Sequence, residues 1–186
     1  MKICWGLCGS FCTLSTVYTQ IAVEVLRHSV FTVCSFNLAS LDTRFGNARD
    51  HLATLEAITG TPPITTIEGA EPIGPKLQPD LMVIAPCTGN TLAKIACGIF
   101  DTPVTLGAKA HLRSGKPLVI GLSTNDALSL NFKNLAELYQ RKNIFFVPMK
   151  MDDPISKPSS LVCDFSLIGE TIDLALEGKQ RLPVFI

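Results

Sequence analysis

Three short polar segments carry the side chains best suited to bind a ligand. They are Gly9-Ser10-Phe11-Cys12-Thr13, Pro86-Cys87-Thr88-Gly89-Asn90-Thr91 and Ser123-Thr124-Asn125-Asp126. Each follows an apolar run typical of a buried strand, and each leads toward a segment with helical spacing. Ligands of open α/β sheets bind beyond the carboxyl ends of the strands, so the three segments are expected to share one site.

The first segment joins a predicted strand to the start of a predicted helix. Free N–H groups and the helix dipole favour a phosphate there, and Ser10 and Thr13 add hydroxyl donors. The full G-x-G-x-x-G fingerprint is absent, because Gly6 and Gly9 are present but Cys12 stands where a later glycine is needed. This favours a mononucleotide over NAD, and a simple helix cap is the alternative interpretation.

The second segment is more specific. Pro86 ends a strand, Thr88 can cap the following helix, and Gly89 lets the backbone bend. Asn90 is a poor helix former, and an amide at a helix start suits hydrogen bonds to the edge of a flavin ring. We therefore expect the ring near Asn90 and Thr91, with capping by Thr88 or Asn90 as the alternative.

The third segment also follows a strand. Asn125 and Asp126 could simply cap the next helix, whereas Ser123 and Thr124 at the strand end need another reason to be polar. The complete predicted cofactor-binding set is Gly9, Ser10, Thr13, Ser35, Asn37, Pro86, Cys87, Thr88, Asn90, Thr91, Ser123, Thr124 and Asn125.

Apolar runs and helical spacing alternate along the chain. Strands are predicted over 2–8, 30–36, 64–67, 80–85, 117–122 and 144–147. Helices are predicted over 14–28, 48–58, 88–99, 102–115, from 125 past Leu138, and over 165–176. Prolines make 70–79 and 152–158 predicted loops. This order predicts one domain, residues 1–186, with a doubly wound parallel sheet in a Rossmann-like or flavodoxin-like three-layer sandwich.

The composition limits the possible partners. The chain has 186 residues, of which 47% are hydrophobic, and 16 basic residues balance 16 acidic ones. No basic tract indicates nucleic acid or an anionic membrane, and no apolar run approaches the roughly 20 residues of a membrane helix. A strand that begins at Lys2 leaves no room for a signal peptide, so a cytoplasmic protein is expected. The apolar composition and the tail Leu182–Ile186 predict a homo-oligomer.

Seven cysteines, an odd number, favour reduced and buried thiols over a disulfide framework. Cys4, Cys8 and Cys12 are spaced by four residues, but the segment is predicted to be a strand and a turn. The pairings that zinc sites use are missing. We therefore predict no metal site.

The motifs together resemble a known family. Pro86–Thr91 resembles the proline–Ala/Leu–Ser/Thr–x–Asn–Thr signature of FMN-dependent flavoproteins that include cysteine decarboxylases. The chain as a whole resembles the B subunits of dipicolinate synthases. The segments that carry this resemblance are 37–46, 70–77, 83–90, 123–128, 142–148 and 152–158.

The resemblance implies an oxidoreductase subunit that contributes to the oxidation of dihydrodipicolinate to dipicolinate during sporulation. It also implies bound FMN and an A subunit that resembles a nucleotide-dependent dehydrogenase, through which a nicotinamide nucleotide could act. The mother cell of a spore-forming bacterium would be its location. The substrate is a dicarboxylate, and Arg44 and Lys109 are the predicted substrate-binding residues, with Arg113 a further candidate, because arginine and lysine bind carboxylates. For Arg44 the alternative is a surface charge or a subunit salt bridge, and for Lys109 and Arg113 it is a solvated surface charge.

Two departures from the decarboxylase pattern bear on the reaction. Where decarboxylases resemble one another in Pro-x-Met-Asn, this chain has Leu122-Ser123-Thr124-Asn125. Those enzymes also use a histidine, and His28, His51 and His111 are all expected to be solvated. An FMN-dependent decarboxylase of the cysteine decarboxylase type remains one alternative, and a non-catalytic scaffold for the A subunit is the other.

Overall fold

The computed structural model describes residues 1–186, which form one seven-stranded sheet with helices on both sides. The strands are β1 (Lys2–Leu7), β2 (Ser29–Cys34), β3 (Leu81–Cys87), β4 (Leu118–Thr124), β5 (Ile144–Phe146), β6 (Met149–Asp153) and β7 (Lys157–Cys163). The helices are α1 (Leu14–Val25), α2 (Phe36–Ser40), α3 (Ala48–Thr59), α4 (Ile67–Ala70), α5 (Gly89–Ala96), α6 (Pro103–Leu112), α7 (Phe132–Tyr139) and α8 (Ile168–Leu176).

The core of the sheet is parallel, with the strand order β2-β1-β3-β4-β5. Ile3 lies between Val30 of β2 and Leu81 of β3, which sets the register. All seven residues of β3 are buried, as expected for a central strand covered on both faces. The predicted flavodoxin-like three-layer fold is therefore confirmed.

The sheet is mixed, however, and the prediction that 144–147 is the last strand was wrong. β6 and β7 form an antiparallel hairpin, and β7 pairs with the end of β4 through Ser123↔Val162 and Thr124↔Leu161. β5 has only three residues and pairs with 118–120 of β4, so the last residues of β4 have no parallel neighbour on that edge. The segment 152–158, predicted as a loop, supplies the end of β6, the hairpin turn and the start of β7.

Two smaller predictions were also wrong. The predicted strand over 64–67 is a single bridge between Ile64 and Val33, because Thr66 caps the short helix α4. The helix predicted from residue 125 begins at Phe132, since the residues after β4 form turns.

Helix ends follow the expected chemistry. Thr102 and Thr105 form a reciprocal capping box with Pro103 in the first helical position of α6. α3 ends at Gly60, whose φ of 73° is a left-handed cap. None of the helices is both long and apolar enough to cross a bilayer.

The buried polar and sulfur-containing side chains differ from the sequence predictions in part. All seven cysteines are free thiols, but Cys12 and Cys97 are exposed and not buried as expected. His51 and His111 are 6% and 1% exposed, so the expectation of solvated histidines was wrong for both. The side chain of His28 is 9% exposed and lies 3.5 Å from Glu24.

Candidate functional site

The carboxyl ends of β1, β3 and β4 open into one cleft of about 700 Å³. The hairpin β6–β7 forms its remaining wall. The lining residues are Gly9, Ser10, Phe11, Cys12, Thr13, Phe45, Thr88, Gly89, Asn90, Ser123, Thr124, Asn125, Asp126, Asp152, Lys157, Ser160, Leu161 and Val162. Its size lies in the range that holds cofactors and drug-sized ligands.

The loop after β1 presents unused donors to the cleft. The backbone N–H groups of Gly9, Phe11 and Cys12 have no acceptor within the protein. Ser10 Oγ lies 2.9 Å from Ser123 Oγ, and Thr13 Oγ1 donates to the carbonyl oxygen of Ser10 at 2.9 Å. Because this loop leads into α1, its free N–H groups and the helix dipole together suit an anionic group.

The start of α5 forms the floor of the cleft. Thr88 Oγ1 accepts the N–H of Thr91 at 3.4 Å, so the helix is capped without Asn90. The Asn90 side chain is exposed in the cleft and makes no hydrogen bond with the protein. Beneath it, Thr91 Oγ1 lies 3.2 Å from Cys8 Sγ. An unused amide above a fixed helix start can bind a polar ring edge.

A hydrogen-bonded network holds the segment after β4 against α5. Asp126 accepts from Thr124 Oγ1 at 2.6 Å and from Asn131 Nδ2 at 2.8 Å, and Asn131 accepts from Asn134 at 2.8 Å. Gly89 packs directly on this network, since a Cβ there would lie 2.5–2.6 Å from Asn131, Asp126 and Thr124. Both oxygens of the Asp126 carboxylate therefore accept hydrogen bonds that stabilise this loop.

The hairpin adds residues that sequence reasoning missed. Lys157 Nζ lies 2.7 Å from Asp152 Oδ2, and Ser160 Oγ donates to the carbonyl oxygen of Thr124 at 3.3 Å. The segment containing Asp152 and Lys157 belonged to the stretches that carried the family resemblance. Its prolines made it a predicted loop, so no pattern connected it with β4.

The structure brings together most of the predicted cofactor-binding set. Eight of its members line the cleft, namely Gly9, Ser10, Thr13, Thr88, Asn90, Ser123, Thr124 and Asn125.

The other five members lie next to the cleft but do not line it. Pro86, Cys87 and Thr91 are buried beneath it. Ser35 Oγ accepts the N–H of Leu38 as the cap of α2. The side chain of Asn37 lies beside Gly9, with its Cβ 3.4 Å from the position that a Gly9 Cβ would take. Ser35 and Asn37 are therefore placed to support the loop after β1 from behind.

The two predicted substrate-binding cations lie outside the lining. Arg44 is exposed and its guanidinium carbon lies 4.8 Å from the ring centre of Phe45, at the rim. Lys109 lines a separate concavity of about 470 Å³ together with Arg113, and its Nζ lies 5.2 Å from the ring centre of Phe100. The cleft therefore does not bring Arg44 and Lys109 together.

Titratable groups near the cleft are few. Burial raises the pKa of Cys8 to about 11, while hydrogen bonds to Thr91 and the Thr88 backbone lower it. No histidine lines the cleft. His51 Nδ1 lies 2.8 Å from the Tyr18 hydroxyl behind the first loop, and burial lowers the pKa of His51. No group of three or more His, Cys, Asp or Glu side chains is placed to hold a metal ion.

Comparison with known proteins agrees with this architecture. Residues 2–172 match the Flavoprotein family. The B subunit of dipicolinate synthase from Bacillus subtilis (strain 168) is 45% identical over 186 residues, which cover 100% of this chain and 93% of that protein. The crystal structure of the corresponding B subunit from Bacillus halodurans is 43% identical with a TM-score of 0.91, covering 100% of this chain and 95% of that one. That of the FMN-dependent cysteine decarboxylase SpaF is 25% identical with a TM-score of 0.68, covering 95% of each chain. The chain thus belongs to the Flavoprotein family and is a homologue of the B subunit of dipicolinate synthase.

Proposed function

We propose that this chain is the FMN-binding B subunit of a dipicolinate synthase, which oxidises dihydrodipicolinate to dipicolinate together with an A subunit. The observation that carries the proposal is one cleft that combines unused N–H donors after β1 with the unused amide of Asn90 on α5. The full-length similarity to the B subunit of the Bacillus subtilis dipicolinate synthase supports the choice of reaction.

The residues of the cleft fit FMN. The FMN phosphate would be held by the N–H groups of Gly9, Phe11 and Cys12 and by the Ser10 hydroxyl. Thr13 would act indirectly, because its hydroxyl already donates to the Ser10 carbonyl and so fixes the loop. The isoalloxazine ring would lie near Asn90 and Thr91. Preformed donors reduce the entropy that binding costs.

The reaction needs an acceptor for a hydride and a binding site for two carboxylates. When bound, FMN supplies the two-electron acceptor, and the protein supplies orientation and exclusion of water. Loss of a hydride and a proton makes the dihydropyridine ring aromatic, which favours the reaction. A nicotinamide nucleotide would enter through the A subunit.

The structure gives decarboxylation less support. FMN-dependent cysteine decarboxylases are expected to use a histidine and a Pro-x-Met-Asn motif. At the matching motif of this chain, Thr124 replaces the methionine. None of His28, His51 and His111 lines the cleft. A cleft without an imidazole does not favour the decarboxylase alternative.

The assembly and location are part of the same proposal. We expect the chain to act in the cytoplasm of the mother cell, as a homo-oligomer that also contacts the A subunit. The exposed apolar residues Leu182, Phe185 and Ile186 support an interface, since each is at least 50% exposed.

The experiment has two parts. FMN is added to the purified protein, and quenching of flavin fluorescence and a rise in Tm are expected. Dihydrodipicolinate oxidation is then measured with the A subunit alone, with this chain alone, and with both. Full turnover by the A subunit alone would refute a catalytic role, and the absence of any FMN binding would refute the cofactor. Turnover that needs this chain but survives Asn90→Ala unchanged would favour the scaffold alternative.

A further inference from the structure

The cleft contains very few charged side chains. Its lining includes Asp126, Asp152 and Lys157, so Lys157 is the single cationic residue in a site that carries two carboxylates of its own. Arg44 stands at the rim on Phe45, and Lys109 lies in a different concavity. The two carboxylates of the lining would repel a doubly negative substrate, so the substrate needs the positive charge of Lys157 to bind.

The hairpin does not need the ion pair between Lys157 and Asp152. Its turn is fixed by Asp153 Oδ1, which accepts the N–H groups of Ile155 at 3.1 Å and Ser156 at 2.9 Å. The side chains of Lys157 and Asp152 are 55% and 40% exposed, and such pairs contribute little to stability. The turn therefore stays fixed when the Lys157 ammonium exchanges Asp152 for another anion.

The two loops that flank the cleft also constrain what Lys157 can reach. Lys157 lines the cleft together with Cys12 of the first loop, and Ser160 on the same strand donates to the Thr124 carbonyl oxygen at the end of β4. Lys157 thus belongs to a lining that also contains the loop after β1 and the end of β4. An anion in this cleft would lie within its reach, whether it is a substrate carboxylate or the phosphate of FMN.

We propose that Lys157 binds a carboxylate of the dicarboxylate substrate, exchanging Asp152 for the substrate when the cleft is filled. This inference rests on the proposed function and names the residue that selects its substrate class. The phosphate of FMN already has the N–H groups of Gly9, Phe11 and Cys12 as donors, whereas a carboxylate near β4 has no other cation in the lining. An ammonium–carboxylate hydrogen bond in a ligand-filled cleft is stronger than the exposed pair it replaces.

The test compares Lys157→Gln with the unchanged protein, using dipicolinate and FMN as ligands in calorimetric titrations. Lys179→Gln is the matched control, because Lys179 makes a similarly exposed ion pair with Glu177, at 2.8 Å, and neither residue lines the cleft. Dipicolinate is titrated with and without saturating FMN, and the series is repeated with the A subunit. We expect Lys157→Gln to raise the Kd for dipicolinate about tenfold, equivalent to about 1.4 kcal/mol, with the Kd for FMN unchanged.

Two further variants sharpen the result. Lys157→Arg should retain most of the dipicolinate affinity, and Asp152→Asn should lower the Kd by removing the competing carboxylate. An unchanged Kd for dipicolinate in Lys157→Gln would overturn the proposal and show that Lys157 only forms a surface ion pair with Asp152. A raised Kd for FMN alone would overturn it by assigning Lys157 to the phosphate. If the unchanged protein bound dipicolinate in no combination, both this inference and the proposed function would fail; if it bound dipicolinate but not FMN, only the cofactor assignment would.

Discussion

Ser10 Oγ lies 2.9 Å from Ser123 Oγ, so a single hydrogen bond joins the loop after β1 to the end of β4 across the intervening strand β3. The two residues are 113 positions apart in the sequence. The bond therefore links two of the loops that line the cleft, and it fixes the position of the Ser10 hydroxyl, whose neighbours in the loop have free N–H groups.

Ser10→Ala should weaken FMN binding while the fold remains intact. The variant removes one hydroxyl donor to the phosphate, a loss on the order of 0.5–1.5 kcal/mol. The Kd for FMN, measured by fluorescence quenching, is expected to rise by roughly two- to twelvefold. Ser15→Ala, at an exposed position on α1, is the control. Equal effects of both variants, or none, would remove Ser10 from the phosphate site.

Asn90→Ala should abolish or severely reduce turnover with the A subunit. Thr88 already caps α5, so the variant should cost the helix at most about 1 kcal/mol. Loss of the amide hydrogen bonds to a bound flavin ring costs more, on the order of 1–3 kcal/mol. Asn47→Ala, at the exposed start of α3, is the matched control. A much lower Tm combined with full turnover would make Asn90 a structural residue.

Gly89→Ala should unfold or distort the cleft. The new methyl group would lie 2.5 Å from Asn131 Nδ2 and 2.6 Å from Asp126 Oδ1. Overpacking of this kind typically costs about 1–3 kcal/mol, measurable as a lower urea midpoint. Asn90→Ala serves as the control, since it changes the next residue to alanine without adding an atom against this network. Wild-type stability of Gly89→Ala would show that the network after β4 can move aside at no cost.

The sequence predicted the parts of the fold that depend on local patterns. β3 was predictable because a central parallel strand is apolar on both faces, and α5 and α6 because Thr88 and Thr102 are standard caps. The three polar loops were expected at one edge of the sheet because strand ends of parallel neighbours coincide there.

The parts that could not be predicted depend on pairing between distant segments. β7 joins β4 through Leu161 and Thr124, and nothing local to either strand specifies that partner. The prolines and Asp153 of the hairpin have the composition of a loop, although they form a turn between paired strands. Lys157 was missed for this reason, and Arg44 and Lys109 were chosen by charge without knowledge of where the cleft is bounded.

His111 should make stability depend on pH. It is 1% exposed, its Nε2 lies 2.9 Å from the Pro117 carbonyl oxygen, and its Nδ1 has no partner. Burial lowers its pKa below the ordinary 6.5, so the unfolded chain binds a proton that the folded protein does not. The contribution of His111 to the unfolding free energy should therefore be complete above pH 6.5. It should decrease as the pH falls toward the lowered folded pKa, by at most about 1.4 kcal/mol per pH unit.

His111→Gln should reduce that slope in urea titrations between pH 7 and pH 5, whatever its effect on stability at pH 7. His51, whose pKa is also lowered by burial, contributes in the same direction and leaves a residual slope. Glu24 acts with the opposite sign, because its pKa is raised by burial. An unchanged slope in His111→Gln would show that His111 titrates in the folded protein as it does in the unfolded chain, and a steeper slope would show that its folded pKa is raised.

The apolar groove between α7 and the C-terminal tail should be a contact between copies of the chain. Phe132, Tyr139, Leu182 and Phe185 line it, and Leu182 is 67% exposed in the isolated chain. Leu182→Asp should therefore dissociate the homo-oligomer, because a charge would be buried without a partner, while the exposed position should change monomer stability by no more than about 0.5 kcal/mol. Leu26→Asp, at an 86% exposed position at the end of α1, is the control and should leave the assembly intact. The measurement is light scattering at micromolar concentration. A monomeric unchanged protein would contradict the homo-oligomer itself, and dissociation by Leu26→Asp alone would place the interface on α1.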